Sequence, residues 1–114
     1  MGNLVVEKSK AFALKSVCTF KRLQAKHEYV LSKQFLRSAT SIGANIAEGQ
    51  YAQSRADFLS KYSIAQKEAS ETLYWIDLLQ AAGYLSDLEF VVEIKTDCEE
   101  LIRLLSASVK KLKR

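Results

Sequence analysis

The sequence predicts an all-α protein, an antiparallel up-down-up-down four-helix bundle. Three observations lead there. The 114 residues contain no proline and only four glycines, so few positions interrupt a helix. Apolar residues recur at three- and four-residue steps through four long segments, and no alternating strand pattern competes. Only a few residues separate those segments, so successive helices must run antiparallel. The length suits one hydrophobic core and therefore a single domain over residues 1–114.

The first helix is expected over residues 3–24, with Asn3 as N-cap and Val6, Ala13, Val17, Phe20 and Gln24 on the inward face. Residues 25–29 break its pattern and form the first connection. The second helix spans about 30–52, with Phe35, Ala39, Ile42, Ile46 and Gly49 on one face. Ala39, Gly43 and Ala47 fall four apart and leave a strip almost without side chains. Glycine inside a helix costs about 1 kcal/mol against alanine, and close approach of another helix is the expected return.

The third helix starts at Ser54, where Ser-Arg-Ala-Asp57 resembles a capping box. Phe58, Tyr62, Ala65, Ala69, Thr72, Ile76 and Leu79 then keep heptad spacing up to the stop at Gly83. The fourth starts at Ser86 with the box Ser-Asp-Leu-Glu89, and Leu88, Val91, Lys95, Cys98, Ile102, Leu105, Val109 and Leu112 hold its heptad. Leu59, Ile64, Trp75, Leu78, Val92, Ile94, Leu101 and Leu104 lie outside those lines. One small core does not need them, so an interface with further copies is expected.

No apolar run reaches the roughly 20 residues of a membrane span. The first residues lack the order of a signal peptide, and Val6 stands where a myristoylation motif wants Ser or Thr. A cytoplasmic protein with no membrane partner is expected. Cys18 and Cys98 read as free thiols filling apolar space.

Known chemistries find little to use. His27, the one histidine, sits in a connection, so metal and Ser/Cys–His arrangements lose their usual ligand or base. No Glu-x-x-His exists for a di-metal bundle site, and Gly43 and Gly49 are not followed by the Lys-Ser/Thr of a phosphate loop. Asn45 and Glu48, three apart on a small apolar stretch, read as a structural polar network. No enzyme activity, catalytic residue, metal site or cofactor is expected.

Charge is divided unevenly. Residues 1–38 carry +6, residues 39–102 carry −7 and residues 103–114 carry +5, within a net charge of +4. Lys8, Lys15, Arg22 and Lys26 share one face of the first helix, and Lys33 and Arg37 form an i,i+4 pair on the second. Such a ridge suits a phosphate backbone. It equally suits pairing with the acids of the third and fourth helices, and the two readings balance for one chain.

The stretch Leu36-Arg-Ser-Ala-Thr-Ser-Ile-Gly-Ala-Asn-Ile-Ala-Glu-Gly49 is followed by Ser54-Arg-Ala-Asp-Phe58, Ile64-Ala-Gln-Lys-Glu-Ala-Ser-Glu-Thr72 and Tyr74-Trp-Ile-Asp-Leu-Leu79. This linked order resembles the bacterial four-helix-bundle family that includes proteins encoded in intervening sequences of 23S rRNA genes. That family is similar in turn to the accessory variability determinant proteins of diversity-generating retroelements. The likeness extends from Ser9-Lys-Ala-Phe-Ala13 to the basic tail, although many members have proline where this chain has Gly43. The resemblance implies a homopentameric ring with a basic surface proposed to bind nucleic acid, and in the retroelement members a reverse transcriptase as partner. Together these readings give a non-enzymatic accessory protein that binds RNA or DNA without sequence preference. Its contacts would be Lys8, Lys15, Arg22, Lys26, Lys33, Arg37, Lys110 and Lys111. The alternative is a protein-interaction scaffold, such as a subunit docking a reverse transcriptase.

Overall fold

The computed structural model describes the backbone of residues 3–114 and the side chains from Leu4 onward. The cap expected from the Asn3 side chain therefore lies outside the described residues. Four helices follow one another: α1 (Asn3–Ala25), α2 (Leu31–Gly49), α3 (Arg55–Ala81) and α4 (Leu88–Leu112). No strand occurs among the described residues. Each helix packs on the next and α4 returns to α1, while the diagonal pairs α1/α3 and α2/α4 show no close backbone approach among the described residues. The cross-section is thus a square of four seams in a body of 44 × 20 × 19 Å.

Each joint has a local cause. α3 ends in Gly83 at φ +86°, with the Tyr84 amide donating to the Leu79 carbonyl and Gly83 to Gln80, the left-handed stop of a Schellman motif. α1 ends in the same way, Glu28 donating to Leu23 and His27 to Gln24, but the left-handed residue is His27 at φ +63°. α2 then begins without a hydroxyl cap. The Glu28 carboxylate accepts from the backbone amides of Val30, Leu31 and Ser32 instead, at 3.2, 3.1 and 2.6 Å. Ser54 caps α3 as expected, its hydroxyl accepting from the Asp57 amide at 3.0 Å. α4 starts one residue later than expected, with Asp87 and not Ser86 as N-cap. α2 is shorter than expected, and Gln50–Ala52 leave it through three-residue-back turns.

The core register agrees with the periodicity on α2 and α3. Phe35, Ala39, Ile42, Ile46 and Gly49 are buried, as are Tyr62, Ala65, Ala69, Thr72, Ile76 and Leu79. Phe58 is half-buried and stacks on Tyr62 with ring centroids 4.3 Å apart. On α4, Ile94 and Leu101 belong to the core and are not surplus, Ile102 is half-buried, and Leu88 is exposed. Cys98 is buried and its thiol is pushed up to about 12 by burial, whereas Cys18 is exposed rather than filling apolar space.

α1 departs most from its expected register. Its inward column is Val5, Ser9, Phe12, Ser16, Thr19 and Leu23. The three hydroxyls donate back to the carbonyls of Val6, Phe12 and Lys15, which lets them sit in the core satisfied. Val6, Ala13, Val17 and Phe20 form the neighbouring column, in which Val6 and Ala13 face α2 and Val17 is exposed. There Gly43 lies against the α1 backbone; a Cβ on it would stand 3.4 Å from the Ser9 carbonyl oxygen. The close approach expected of the small-residue strip is present. Beside it runs an open apolar groove of about 200 Å³, lined by Val6, Ala13, Thr40, Gly43, Ala44 and Ala47.

Candidate nucleic-acid interface

Lys8, Lys15, Arg22 and Lys26 do share one face of α1, and that face is turned to α4. Lys8 Nζ lies 2.8 Å from Glu100 Oε1. Lys15 Nζ lies 2.6 Å from Glu93 and 2.5 Å from Asp97. Its hydrogen bonds to Asp97 and then to Glu93 hold it above the ordinary lysine range, so it stays charged. Arg22 places its guanidinium 4.1 Å from the Phe90 ring centroid, and Lys26 donates to the Tyr84 carbonyl at 2.8 Å. Lys8, Lys15 and Arg22 thus lie across the α1/α4 seam, the loosest of the four, and Lys26 holds the α3–α4 connection. Exposed pairs of this kind contribute at most about 1 kcal/mol each.

On α2, Arg37 turns to α3. It lies 2.6 Å from Glu71 and 3.1 Å from Glu68, and the Trp75 indole N–H donates to Glu71 at 2.9 Å. The Trp75 bond first, and Arg37 second, hold the Glu71 carboxyl below the usual range. One guanidinium between two carboxylates leaves this patch negative and Arg37 committed. Lys33 is exposed, with no partner among the described residues. Asn45 and Glu48 do not form the single network expected of them. Asn45 donates to the Ser41 carbonyl of its own helix at 2.8 Å, and Glu48 pairs separately with Lys61 at 2.9 Å on the surface.

Lys110 and Lys111 occupy the last turn of α4, exposed and without partners among the described residues. Arg103, Lys113 and Arg114 are exposed too, and residues 103–114 contain no acid. The Arg55 guanidinium reaches from the start of α3 to the Leu112 carbonyl, 3.2–3.3 Å away. That strap ties the α2–α3 connection to the last turn of α4, so Tyr51, 87% exposed, belongs to the same pole of the bundle. Sequence reasoning found Lys110 and Lys111 but not Tyr51 or Arg55. Periodicity says nothing about a connection, and only the fold brings Arg55 to Leu112 and sets Tyr51 at the same end of the bundle.

No group of three or more His, Cys, Asp or Glu suited to a metal ion occurs among the described residues. No described helix is long and apolar enough to cross a membrane.

A family model described as 23S rRNA-intervening sequence protein matches residues 2–107. The chain is also similar to a crystal structure of a protein with unknown function from the S23 ribosomal protein family of Bacteroides thetaiotaomicron. The two are 48% identical with a TM-score of 0.89, over 93% of this chain and 98% of that one. No curated protein matches the chain. The family match covers α1, α2, α3 and most of α4, stopping before the last turn with Lys110 and Lys111, and the chain belongs to the 23S rRNA-intervening sequence protein family.

Proposed function

We propose that this chain is a non-catalytic, self-associating accessory protein that binds RNA or DNA through the phosphate backbone without reading base sequence. The division of its cations carries the proposal. Of seventeen Lys and Arg residues, five (Lys8, Lys15, Arg37, Lys61 and Lys95) are in ion pairs. Three more, Arg22, Lys26 and Arg55, lie on a ring or on carbonyls. The other nine have no partner among the described residues, and five of those fall within residues 103–114. Cations that close no seam can give up their counterions to phosphate at no cost to the fold. Lys33, Lys110 and Lys111 are therefore the leading contacts. Lys8, Lys15, Arg22, Lys26 and Arg37 would have to abandon partners first.

Self-association is proposed through opposite edges of the square. One edge is the α1/α2 groove, apolar and flanked by Lys10. The other, α3/α4, exposes Leu88 and Val92 beside Glu89 and Glu99. Two different, complementary edges on one subunit make a head-to-tail contact that closes into a ring, five copies in this proposal. Repetition around a ring multiplies a modest basic pole into a large field.

The scaffold reading has one observation in its favour, the internal use of the α1 cations; its partner would be a protein such as a reverse transcriptase. A salt titration of binding to mixed-sequence RNA and DNA separates the two. Phosphate contacts give a log–log slope of about 0.7–0.9 per contact, and Lys110→Gln with Lys111→Gln should flatten it by roughly two contacts for every sequence alike. If the parent binds neither nucleic acid at low salt, the scaffold reading takes over.

A further inference from the structure

The pole formed by the α2–α3 connection and the end of α4 carries an aromatic ring as well as cations, and the ring makes no side-chain contact that the fold uses. Tyr51 is the most exposed of the large apolar side chains. Tyr29 accompanies His27, with its hydroxyl 2.8 Å from Nδ1, and Tyr74 packs its edge on Trp75. Tyr51 has neither an aromatic neighbour nor a side-chain hydrogen bond among the described residues. Yet its backbone is held. The Tyr51 amide donates to the Glu48 carbonyl at 3.0 Å and Ala52 to Gly49 at 3.1 Å. Ser54 and Asp57 cap each side of the next turn, and Arg55 straps the connection to α4. An uncovered ring on a fixed mount, at the same end of the bundle as a cluster of free cations, suits unpaired nucleotides: bases stack on the ring while the cations follow the phosphates.

We infer that this pole selects single-stranded nucleic acid, with an unpaired base stacking on Tyr51 and phosphates meeting Lys110, Lys111, Lys113 and Arg114. The inference rests on the nucleic-acid reading above and narrows its ligand. A duplex keeps its base faces inside the stack, so it can use the cations but not the ring. The π-face is common to all bases, so RNA and DNA strands should both use it.

Fluorescence anisotropy with labelled oligo-U and oligo-dT 20-mers and a 20-base-pair duplex tests it. Tyr51→Ala should weaken binding to both single strands by about tenfold, the range for one lost base stack, with an unchanged salt slope and unchanged duplex affinity. Tyr51→Phe should bind like the parent, because the ring and not the hydroxyl is used. Lys110→Gln with Lys111→Gln should weaken strands and duplex alike and flatten the slope. The ring is exposed, so helical content by circular dichroism should be the same in all variants. Single-strand binding by Tyr51→Ala equal to the parent overturns the inference while leaving the nucleic-acid reading intact. An equal loss on strands and duplex also overturns it. A parent that binds none of the three probes removes the nucleic-acid reading itself.

Discussion

The joint between α1 and α2 turns on two adjacent side chains, His27 and Glu28. His27 holds the left-handed stop at φ +63°, where glycine would sit without a Cβ penalty. Relief of that strain exceeds the extra freedom glycine gives the unfolded chain. His27→Gly should therefore raise stability by about 0.5–1 kcal/mol in urea denaturation. Glu28 works in the opposite sense, since it is buried and caps α2 with its carboxylate. Burial pushes its carboxyl up, but the amides of Ser32, Leu31 and Val30 outweigh burial and hold it below 4.5. A depressed carboxyl stabilises the fold above its unfolded value, and that stability is lost as pH falls through the folded one. Glu28→Gln should cost about 1 kcal/mol at neutral pH. The gap between parent and variant should close as thermal melts are taken below pH 4.5. Neither role was legible in the sequence. Left-handed stops are sought at Gly or Asn, and caps at Ser, Thr, Asp or Asn one residue before the helix, so a His–Glu pair reads as solvated loop.

At the scale of elements, α2 could be read because its inward column is apolar and its neighbours mostly polar, and α3 because its heptad runs unbroken from Tyr62 to Leu79 although Leu59, Ile64, Trp75 and Leu78 lie beside it. α1 could not. Its inward column holds Ser9, Ser16 and Thr19, hydroxyls that a helix satisfies through its own carbonyls. The apolar column Val6, Ala13, Val17 and Phe20 lies beside it, with Val6 and Ala13 lining the α2 groove, so hydrophobicity pointed one column away from the core. α4 shows a milder form, since Ile94 and Leu101 are core residues that a strict heptad sets aside. Truncation distinguishes the two α1 columns. Phe12 is 2% exposed, so Phe12→Ala should cost about 3–5 kcal/mol through the cavity it leaves. Phe20 only packs on the flank, and Phe20→Ala should cost less than half of that in the same urea titration. Equal costs would restore the register that periodicity predicts.

For the whole molecule, the sequence shows a basic beginning, an acidic middle and a basic end, but not which charges meet. In the fold, α1 spends much of its charge on the acids of α4, and Arg37 spends its own on Glu68 and Glu71. The pole at residues 103–114 keeps its charge because no acid lies within that segment. The apolar residues that looked surplus on α3 and α4 are mostly buried or half-buried, with only Ile64 and Val92 exposed. The open apolar surface is instead the groove between α1 and α2, where Gly43 and Ala47 have too little side chain to fill it. A copy of the chain seated there would bury Val6, Ala13 and Ala44, and light scattering in moderate salt should then report about five times 12.8 kDa. Gly43→Leu tests the seat directly. Its Cβ would make ordinary contact with Ser9, and its branched end would occupy the groove. Replacing a mid-helix glycine also favours α2 by roughly 0.5–1 kcal/mol, so the variant should keep its helical content, and any fall in melting temperature should be no more than loss of the assembly explains. It should nonetheless run as a monomer of 12.8 kDa, while Gly43→Ala, which leaves the groove open, should assemble like the parent. A folded Gly43→Leu variant that still assembles would move the interface elsewhere, with the α2/α3 seam and its exposed Ile64 and Tyr74 as the next surface to test.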